Sequence, residues 1–249
     1  MLAWLKDRFR RGPVVPVVRL SGVIASSGLL GNRSLSIETV APLLKRAFDM
    51  RGAKAVALAI NSPGGSPVQS ALIGQRIRLL ADEIIVDPHS IVGSIGVISA
   101  GFGFQDLIGR IGVERRVYTS GERKSMLDPF RPQKPEDVER LMRLQAEIHD
   151  GFKDWVRQRR AGKLKGEEQF LFSGEFWTGR RGAELGLIDG LGELRATLQA
   201  RYGAKVHLPV IGPRRRLLSR FGLGSSVDGI GPSTLAALEE RLHWQRFGL

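Results

Sequence analysis

Two glycines that follow a buried strand are the first residues of this 249-residue chain that could do chemistry. The segment 61–66 reads Asn-Ser-Pro-Gly-Gly-Ser; it follows the apolar run 55–60, and a helix is predicted from Pro67. Backbone amides left uncovered by a glycine pair beside a helix N-terminus suit a developing oxyanion. Gly64 and Gly65 are therefore candidates for an oxyanion hole.

A lysine and a serine in two other loops are the candidate base and nucleophile. Without a catalytic histidine, a serine hydroxyl needs a base such as a lysine whose pKa is lowered by burial or by neighbouring cations. Lys124 has Arg123 and Arg131 close to it in the sequence. Ser94 lies in the tight passage Gly-Ser-Ile-Gly-Val at 93–97. Each residue alone also fits an ordinary role, Lys124 as a solvated loop lysine and Ser94 as a packing serine.

Metal and cofactor chemistry are not predicted. The chain has no cysteine, and its four histidines are scattered, with none at a spacing of three or four residues from another. A zinc site is therefore not expected. The pair Gly101-x-Gly103 lacks both the third glycine and the acidic residue of a dinucleotide-binding motif, so we interpret it as a turn.

The elements that would position these residues follow the order of a βαβ unit. Strands are predicted at 14–20 and 55–60, with a helix at 35–50 between them that Ser36 would cap. Further along, the patterns predict helices at 105–111, 134–160 and 179–185 and a strand at 113–119, as read from the spacing of apolar residues. The predicted fold class is α/β.

One junction between predicted elements lacks a turn. The helix pattern through Ala81, Asp82 and Glu83 runs directly into the strand-like Ile84-Ile85-Val86 with no Gly or Pro between them. A connection from helix to strand normally takes a few turn residues. The sequence therefore indicates that something is missing between Glu83 and Ile84.

Charge and hydropathy limit the classes of partner that the chain is expected to bind. The formal net charge of +13 favours anionic lipid or nucleic acid, and basic residues cluster at the N-terminus, between 157 and 165, and between 214 and 220. No aromatic-interleaved or zinc-finger pattern accompanies these clusters, so nucleic-acid binding is not favoured. Residues 1–11 have the pattern of an amphipathic helix for the surface of an anionic membrane, although a solvated terminus explains them as well.

The composition divides the chain into three parts. We predict a basic N-terminal segment at 1–13, an α/β domain at 14–205, and a basic tail at 206–249 that contains an amphipathic helix. No run reaches the ~18 apolar residues of a transmembrane helix, and no signal peptide is predicted. We expect a bacterial-type location, in the cytoplasm or at the periphery of the inner membrane.

Several motifs taken together resemble one family. They are Asn-Ser-Pro-Gly-Gly-Ser at 61–66, Gly-Ser-Ile-Gly-Val at 93–97, the Ser120-Gly121-x-x-Lys124 loop with Asp-Pro-Phe at 128–130, and Gly-Leu-Ile-Asp at 186–189. In this order they resemble the signal peptide peptidase A family, which comprises Ser/Lys peptidases of the ClpP/crotonase fold. The resemblance implies that Gly64 and Gly65 supply the oxyanion hole and Lys124 the general base. It also implies peptide substrates, no cofactor and a ring-shaped oligomer.

The resemblance also offers an explanation for the missing turn between Glu83 and Ile84. In members of the family, a strand and the motif Ala-Ser-Gly-Gly-Tyr lie between the positions that correspond to Glu83 and Ile84. The serine of this motif is the nucleophile. This chain has neither, so about one strand-helix unit, on the order of 25 residues, is absent from the predicted fold.

Three interpretations follow from the absent serine. The chain could be an active peptidase that uses a substitute nucleophile, with Ser94 the nearest candidate and the segment 25–28 a remote one. It could be a non-catalytic subunit that assembles with an intact relative and lends Lys124 across the interface. It could instead be a damaged gene product whose sheet edge is exposed. Acyl-CoA chemistry of the crotonase type uses similar amides, but no acid/base carboxylate is close to Gly64 and Gly65.

Overall fold

The computed structural model describes residues 12–26, 34–78, 82–121 and 123–212. The predictions for residues 1–11, for Ser27 and Gly28, for the helix end at Ala81 and for the tail beyond residue 212 lie outside these ranges. The described residues divide into two compact units: those up to residue 84 together with 192–212 form one, and those between 85 and 191 form the other.

The described part of the chain alternates strands and helices. In chain order the elements are β1 (Val17–Ser21), α1 (Ile37–Phe48), β2 (Ala57–Asn61), α2 (Pro67–Arg78), β3 (Ile85–Val86), β4 (Ile91–Gly93), α3 (Gln105–Arg110), α4 (Pro135–Arg159), α5 (Glu168–Leu171), β5 (Phe176–Thr178), α6 (Gly179–Glu184), β6 (Gly190–Leu191), α7 (Leu194–Tyr202) and β7 (Val210–Ile211). The α/β class predicted from the sequence is confirmed.

The first unit is built on a parallel sheet in the order β2, β1, β7. Val17 of β1 pairs with Ala57 on one side and with Val210 on the other. Side chains at alternate positions enter two cores: Val18 and Leu20 pack with α1 and α2 residues, whereas Val15 packs with Leu198 of α7. The sheet is thus covered on both faces, as parallel sheets generally are.

Helix α1 begins as the sequence predicts. The fully buried Ser36 caps it, because the Ser36 Oγ accepts from the Thr39 backbone N–H and the Thr39 Oγ1 accepts from the Ser36 backbone N–H. This reciprocal capping satisfies two backbone donors that the first turn of a helix leaves unpaired.

The sheet of the first unit extends past the domain boundary that the sequence predicts at residue 205. The Val15 N–H donates to the His207 carbonyl over 2.9 Å, and the Val17 N–H donates to the Pro209 carbonyl over 2.9 Å. Ile211 of β7 is buried in the core with Val18. The basic composition beyond Tyr202 hides this short strand, so the ordered unit reaches at least residue 211.

The second unit holds two small sheets. Strands β3 and β6 pair in parallel, and β4 and β5 pair antiparallel, with Val92 opposite Trp177. Helix α6 packs closely on these strands, because Gly179 and Gly182 bring its backbone against Val86 and Val92, where a Cβ atom would clash. The core of this unit consists of Ile95, Leu171, Phe172, Trp177, Leu185, Leu187 and Ile188.

Two local predictions are corrected, and one strand has no counterpart in the sequence analysis. Residues 113–119 form no strand, because no described segment pairs with them, and Tyr118 is exposed. Asp82 and Glu83 are not helical, although the sequence pattern extends the helix through them. The strand β5 was not predicted; it has three residues only and follows directly on the turn at Gly174.

A buried arginine fastens the end of the long helix α4. Arg160, with 6% of its surface exposed, donates to the Gly186 carbonyl and to Asp189 Oδ2, both over 2.8 Å. Lys163 reaches the other oxygen of the same carboxylate over 2.7 Å. The Gly-Leu-Ile-Asp motif at 186–189 therefore has a structural role here, since it neutralises and satisfies a buried guanidinium.

Candidate active site

The Gly64-Gly65 turn is held by the chain segment that follows β1. The Ile24 N–H donates to the Gly64 carbonyl over 2.8 Å, and the Ser66 N–H donates to the Ile24 carbonyl over 2.7 Å. Both glycines have positive φ, 96° for Gly64 and 144° for Gly65, which side-chain-bearing residues rarely adopt. The turn is therefore fixed by backbone hydrogen bonds that extend the β1–β2 pairing.

The two amides predicted for an oxyanion hole differ in availability. The Gly64 N–H donates to the Ser62 Oγ over 3.2 Å. The Gly65 N–H has no acceptor within the described part of the chain. The Gly65 amide is therefore free to bind an oxygen, whereas the Gly64 amide would first have to release the Ser62 hydroxyl.

The turn leads directly into α2. The Ser66 Oγ accepts from the Gln69 backbone N–H over 3.4 Å, and the Ser70 N–H donates to the Ser66 carbonyl over 2.9 Å, so Ser66 begins the helix. The Gln69 side chain accepts from the Ile37 N–H at the start of α1 over 2.9 Å. The side chain of Gln69 thus links the start of α1 to the glycine turn.

Ser94 has a backbone conformation unusual for serine. Its φ of 52° lies in the left-handed region, its N–H donates to the Glu175 carbonyl over 2.7 Å, and the Gly96 N–H donates to the Ser94 carbonyl over 2.9 Å. Strained backbone of this kind is often found where a side chain is displayed for function. The Ser94 hydroxyl is half-buried and has no hydrogen-bond partner among the residues described.

The turn that carries Ser94 is also held from α4. The His149 Nε2 lies 2.9 Å from the Ile95 carbonyl oxygen. Because a carbonyl only accepts, Nε2 donates, and in the neutral ring Nδ1 is then the acceptor. The sequence did not indicate this contact, which joins residues 54 positions apart.

Lys124 lies in an exposed turn. Its backbone N–H donates to the Gly121 carbonyl over 3.1 Å, and its side chain is solvent-exposed. Within the described ranges no ion pair involves its ammonium group, and no hydrogen bond joins it to Ser94. The neighbours predicted to act on it, Arg123 and Arg131, are also exposed.

The end of the Lys124 loop is anchored by Asp128. Its Oδ1 accepts from the Phe130 N–H over 3.0 Å, and its Oδ2 accepts from the Arg115 Nε over 3.3 Å. These contacts, the Phe130 N–H bond foremost, lower the pKa of Asp128 below its ordinary value, although only 6% of its side chain is exposed. The Phe104 N–H donates to the Pro129 carbonyl over 2.6 Å, and the Phe104 ring stacks on Phe130.

The four candidate residues are divided between the two units. Gly64 and Gly65 share one turn of the first unit, whereas Ser94 and Lys124 lie in separate loops of the second. Their roles as oxyanion hole, nucleophile and base stay predictions.

The middle basic cluster is largely neutralised within the chain. Arg157 pairs with Asp154 and Glu168, which raises the pKa of the guanidinium and lowers that of Glu168. Arg160 and Lys163 share Asp189. These cations stabilise the second unit and do not form an unpaired patch for a polyanion.

Comparison with known proteins identifies the family. The model of peptidase family S49 matches residues 70–206, which is more than half of the chain. The chain belongs to peptidase family S49. The resemblance to signal peptide peptidase A is therefore confirmed, and with it the α/β fold of ClpP/crotonase type.

Relatives from three bacteria align along most of this chain. A Brucella abortus protein named as the Na(+)/H(+) antiporter NhaA is 49% identical over 94% of this chain and 37% of that protein. A Synechocystis protein named as a protease is 29% identical over 93% of this chain and 91% of its own length. Protease 4 of Haemophilus influenzae is 29% identical over 77% of this chain and 35% of that protein. The chain thus spans little more than a third of the Brucella protein, and no described helix is long and apolar enough to cross a bilayer.

The same alignments contain positions that this chain does not fill. The Brucella alignment has 272 positions, but 94% of 249 residues is only about 234, so about 38 positions have no counterpart here. The Synechocystis alignment has 269 positions for 93% of the chain, about 232 residues, which leaves about 37. Both relatives therefore carry additional residues inside the aligned region, enough for about one strand-helix unit.

The glycine turn makes a matched pair of substitutions informative. A Cβ at Gly65 would lie 2.1 Å from the Ile24 carbonyl oxygen, whereas a Cβ at Gly64 meets nothing within 4 Å. Both substitutions carry backbone strain on the order of 1–3 kcal/mol, but only Gly65→Ala adds the clash. In urea unfolding we expect Gly65→Ala to be clearly less stable than Gly64→Ala. Equal stabilities would contradict the Ile24 contact.

From the contacts of the Asp128 carboxylate we expect its contribution to stability to be lost at acidic pH. Because its pKa is lowered in the folded state, the carboxylate stabilises the fold fully above its unfolded pKa, near 3.8, and this stabilisation is lost as the pH falls through the folded value. The stability difference between wild type and Asp128→Asn should therefore be largest near pH 6 and shrink below pH 4, as measured by urea unfolding. Asp106→Asn, at an exposed carboxylate, is the control, and a difference for Asp128→Asn that does not change with pH would refute the anchor.

Proposed function

We propose that this chain is a member of the S49 peptidases that does not cleave peptides alone, because the segment that would carry the nucleophilic serine is absent. The observation that carries the proposal is the set of about 38 positions that the Brucella relative has and this chain lacks. We place the absent segment between α2 and β3, at the sequence junction of Glu83 and Ile84, because the members of the family that this chain resembles carry the nucleophilic serine there.

The remaining groups support a role in binding peptide. The Gly65 amide is unoccupied among the described residues and lies in the turn between β2 and α2, where a peptide carbonyl could accept from it. Lys124 is exposed and lies in a turn whose end is anchored by Asp128, so its ammonium group could reach a partner. We infer that the substrates of the assembled enzyme are signal peptides or other peptides released from membranes, by analogy with the family.

Ser94 is the alternative nucleophile. Its strained backbone and unpaired hydroxyl are the features that favour it. However, Lys124 is exposed and unbound, whereas a general base must lie within hydrogen-bond reach of the hydroxyl that it activates. The geometry of the described residues therefore supports the inactive chain better than an active Ser94 enzyme.

Peptide hydrolysis tests the proposal directly. We expect the purified chain to show no turnover of fluorogenic peptides and no labelling by a fluorophosphonate that modifies active serines. A variant that receives, between Glu83 and Ile84, the strand and the Ala-Ser-Gly-Gly-Tyr motif of an intact S49 peptidase should gain turnover, and Lys124→Ala in that variant should abolish it. Turnover by the unmodified chain that is lost in Ser94→Ala would overturn the proposal.

Partnership with an intact relative has its own test. An intact S49 peptidase whose own base lysine is replaced by alanine should regain turnover when mixed with the wild-type chain, because Lys124 would be supplied across the interface. The same mixture with Lys124→Ala should stay inactive, and Lys134→Ala is the matched control at another exposed lysine. Absence of recovery despite co-elution of the two chains would eliminate the lending of Lys124.

A further inference from the structure

Three phenylalanine rings of the second unit form an exposed row, which we call the phenylalanine cluster. The ring centroids of Phe102 and Phe104 lie 6.1 Å apart, and those of Phe104 and Phe130 lie 5.6 Å apart. The Phe104 N–H donates to the Pro129 carbonyl over 2.6 Å, which joins the two loops that carry the rings. The cluster is therefore built by contacts within one unit, and its outermost ring, Phe102, is 81% exposed.

The segment that leads to the cluster carries no charge. Residues 90–104 contain no charged side chain and no histidine, and Ile98 within them is exposed. A Cβ atom at Gly101 or at Gly103 would meet nothing within 4 Å, so the chain leaves open space beside both glycines. Because burial of a charge is costly, an uncharged segment of this kind can leave water more readily than a charged one.

Helix α3 extends the apolar surface beyond the cluster. It begins directly after Phe104, and Leu107 and its C-cap residue Ile111 are both exposed, Ile111 by 66%. Residues four positions apart lie on the same side of a helix. Aliphatic side chains therefore follow the aromatic rings along this part of the second unit.

Unpaired cations lie beside the cluster. Arg131 directly follows Phe130, and its N–H donates to the Asp128 carbonyl over 3.1 Å in a tight turn. Arg115 is already paired with Asp128, whereas four exposed cations of the same loop form no ion pair within the described ranges. These four residues are Arg123, Lys124, Arg131 and Lys134.

Exposed apolar side chains bordered by cations fit the surface of an anionic bilayer. Aromatic rings favour the level of the headgroups, aliphatic side chains enter the boundary of the acyl chains, and cations attract anionic headgroups. A single-stranded nucleic acid would also stack on the rings and pair with the cations. It would, however, leave Ile98, Leu107 and Ile111 in water. An anionic lipid surface is therefore the occupant that uses all of these groups.

We propose that the second unit binds the surface of anionic membranes through the phenylalanine cluster, with Arg131 beside the lipid headgroups. The contact is peripheral, because interfacial side chains enter a bilayer by only about 5–10 Å. It is distinct from the amphipathic segment predicted at residues 1–11. It is also independent of the catalytic state proposed above, since it uses neither the Gly65 amide nor Ser94.

A single fluorophore locates the contact, because the chain has no cysteine of its own. We expect an environment-sensitive fluorophore on Phe102→Cys of the full-length chain to shift to shorter wavelength with vesicles of equal parts phosphatidylcholine and phosphatidylglycerol. The control is Lys165→Cys, at an exposed residue beyond the far end of α4, whose 25 residues extend about 37 Å. Its fluorophore should stay in water. A shift at residue 165 and none at residue 102 would overturn the proposal.

Cosedimentation with the same vesicles measures the contribution of each group. Phe102→Ser should weaken binding by roughly 10-fold, because an apolar ring no longer leaves water. Arg131→Gln should weaken it by roughly 5-fold, because one cation near the headgroups is lost. Phe152→Ser, at an exposed ring of α4, and Lys165→Gln are the matched controls and should bind as the wild type does. Circular dichroism establishes that each variant is folded.

Three results would contradict the membrane contact. Vesicle binding that survives Phe102→Ser but is lost in Leu5→Glu would assign it to the N-terminal segment. A fluorophore at residue 102 that responds to polyuridylic acid but not to vesicles would assign the cluster to nucleic acid. Equal binding to vesicles of phosphatidylcholine alone would eliminate the attraction between Arg131 and anionic headgroups.

Discussion

The pairing of β1 on both of its edges is the interaction on which the first unit depends. Because β1 lies between β2 and β7, its alternate side chains build two cores, Val18 and Leu20 on one face and Val15 on the other. The segment beyond β1 then continues the ladder at Ile24, which bonds both sides of the glycine turn. The shape of that turn is therefore imposed by a neighbouring segment as well as by its own two glycines, and its exposed amide is held in place by the same ladder.

Local signals were sufficient for much of the fold. Ser36 was predicted as a cap, and α2 and α4 were found from a proline and from an apolar stripe, because capping and helical periodicity act within a few residues. Strands are harder to predict from the sequence than helices, since a strand forms only when another strand pairs with it. Residues 113–119 have a suitable composition but no partner, whereas β5 forms from three residues because Ile91–Gly93 lies beside it.

The candidate site shows the same limit. The glycine turn was located from its sequence, but the occupation of the Gly64 amide by Ser62 depends on a side-chain rotamer that no pattern encodes. The contact between His149 and Ile95 joins distant segments, and the cations of the middle cluster were predicted as a basic surface although Asp189 and Glu168 neutralise several of them. Composition counts charges, whereas the fold decides which of them remain unpaired.

The Gln69 side chain has a consequence for how the first unit opens. It stands three residues into the segment that begins at Ser66 and accepts from the first amide of α1, so neither the glycine turn nor the start of α1 can loosen without breaking a bond to the other. The two segments, more than 30 residues apart in the chain, should behave as one cooperative unit in amide hydrogen exchange. A molecule that occupies the Gly65 amide would then slow exchange at the start of α1, which it does not touch.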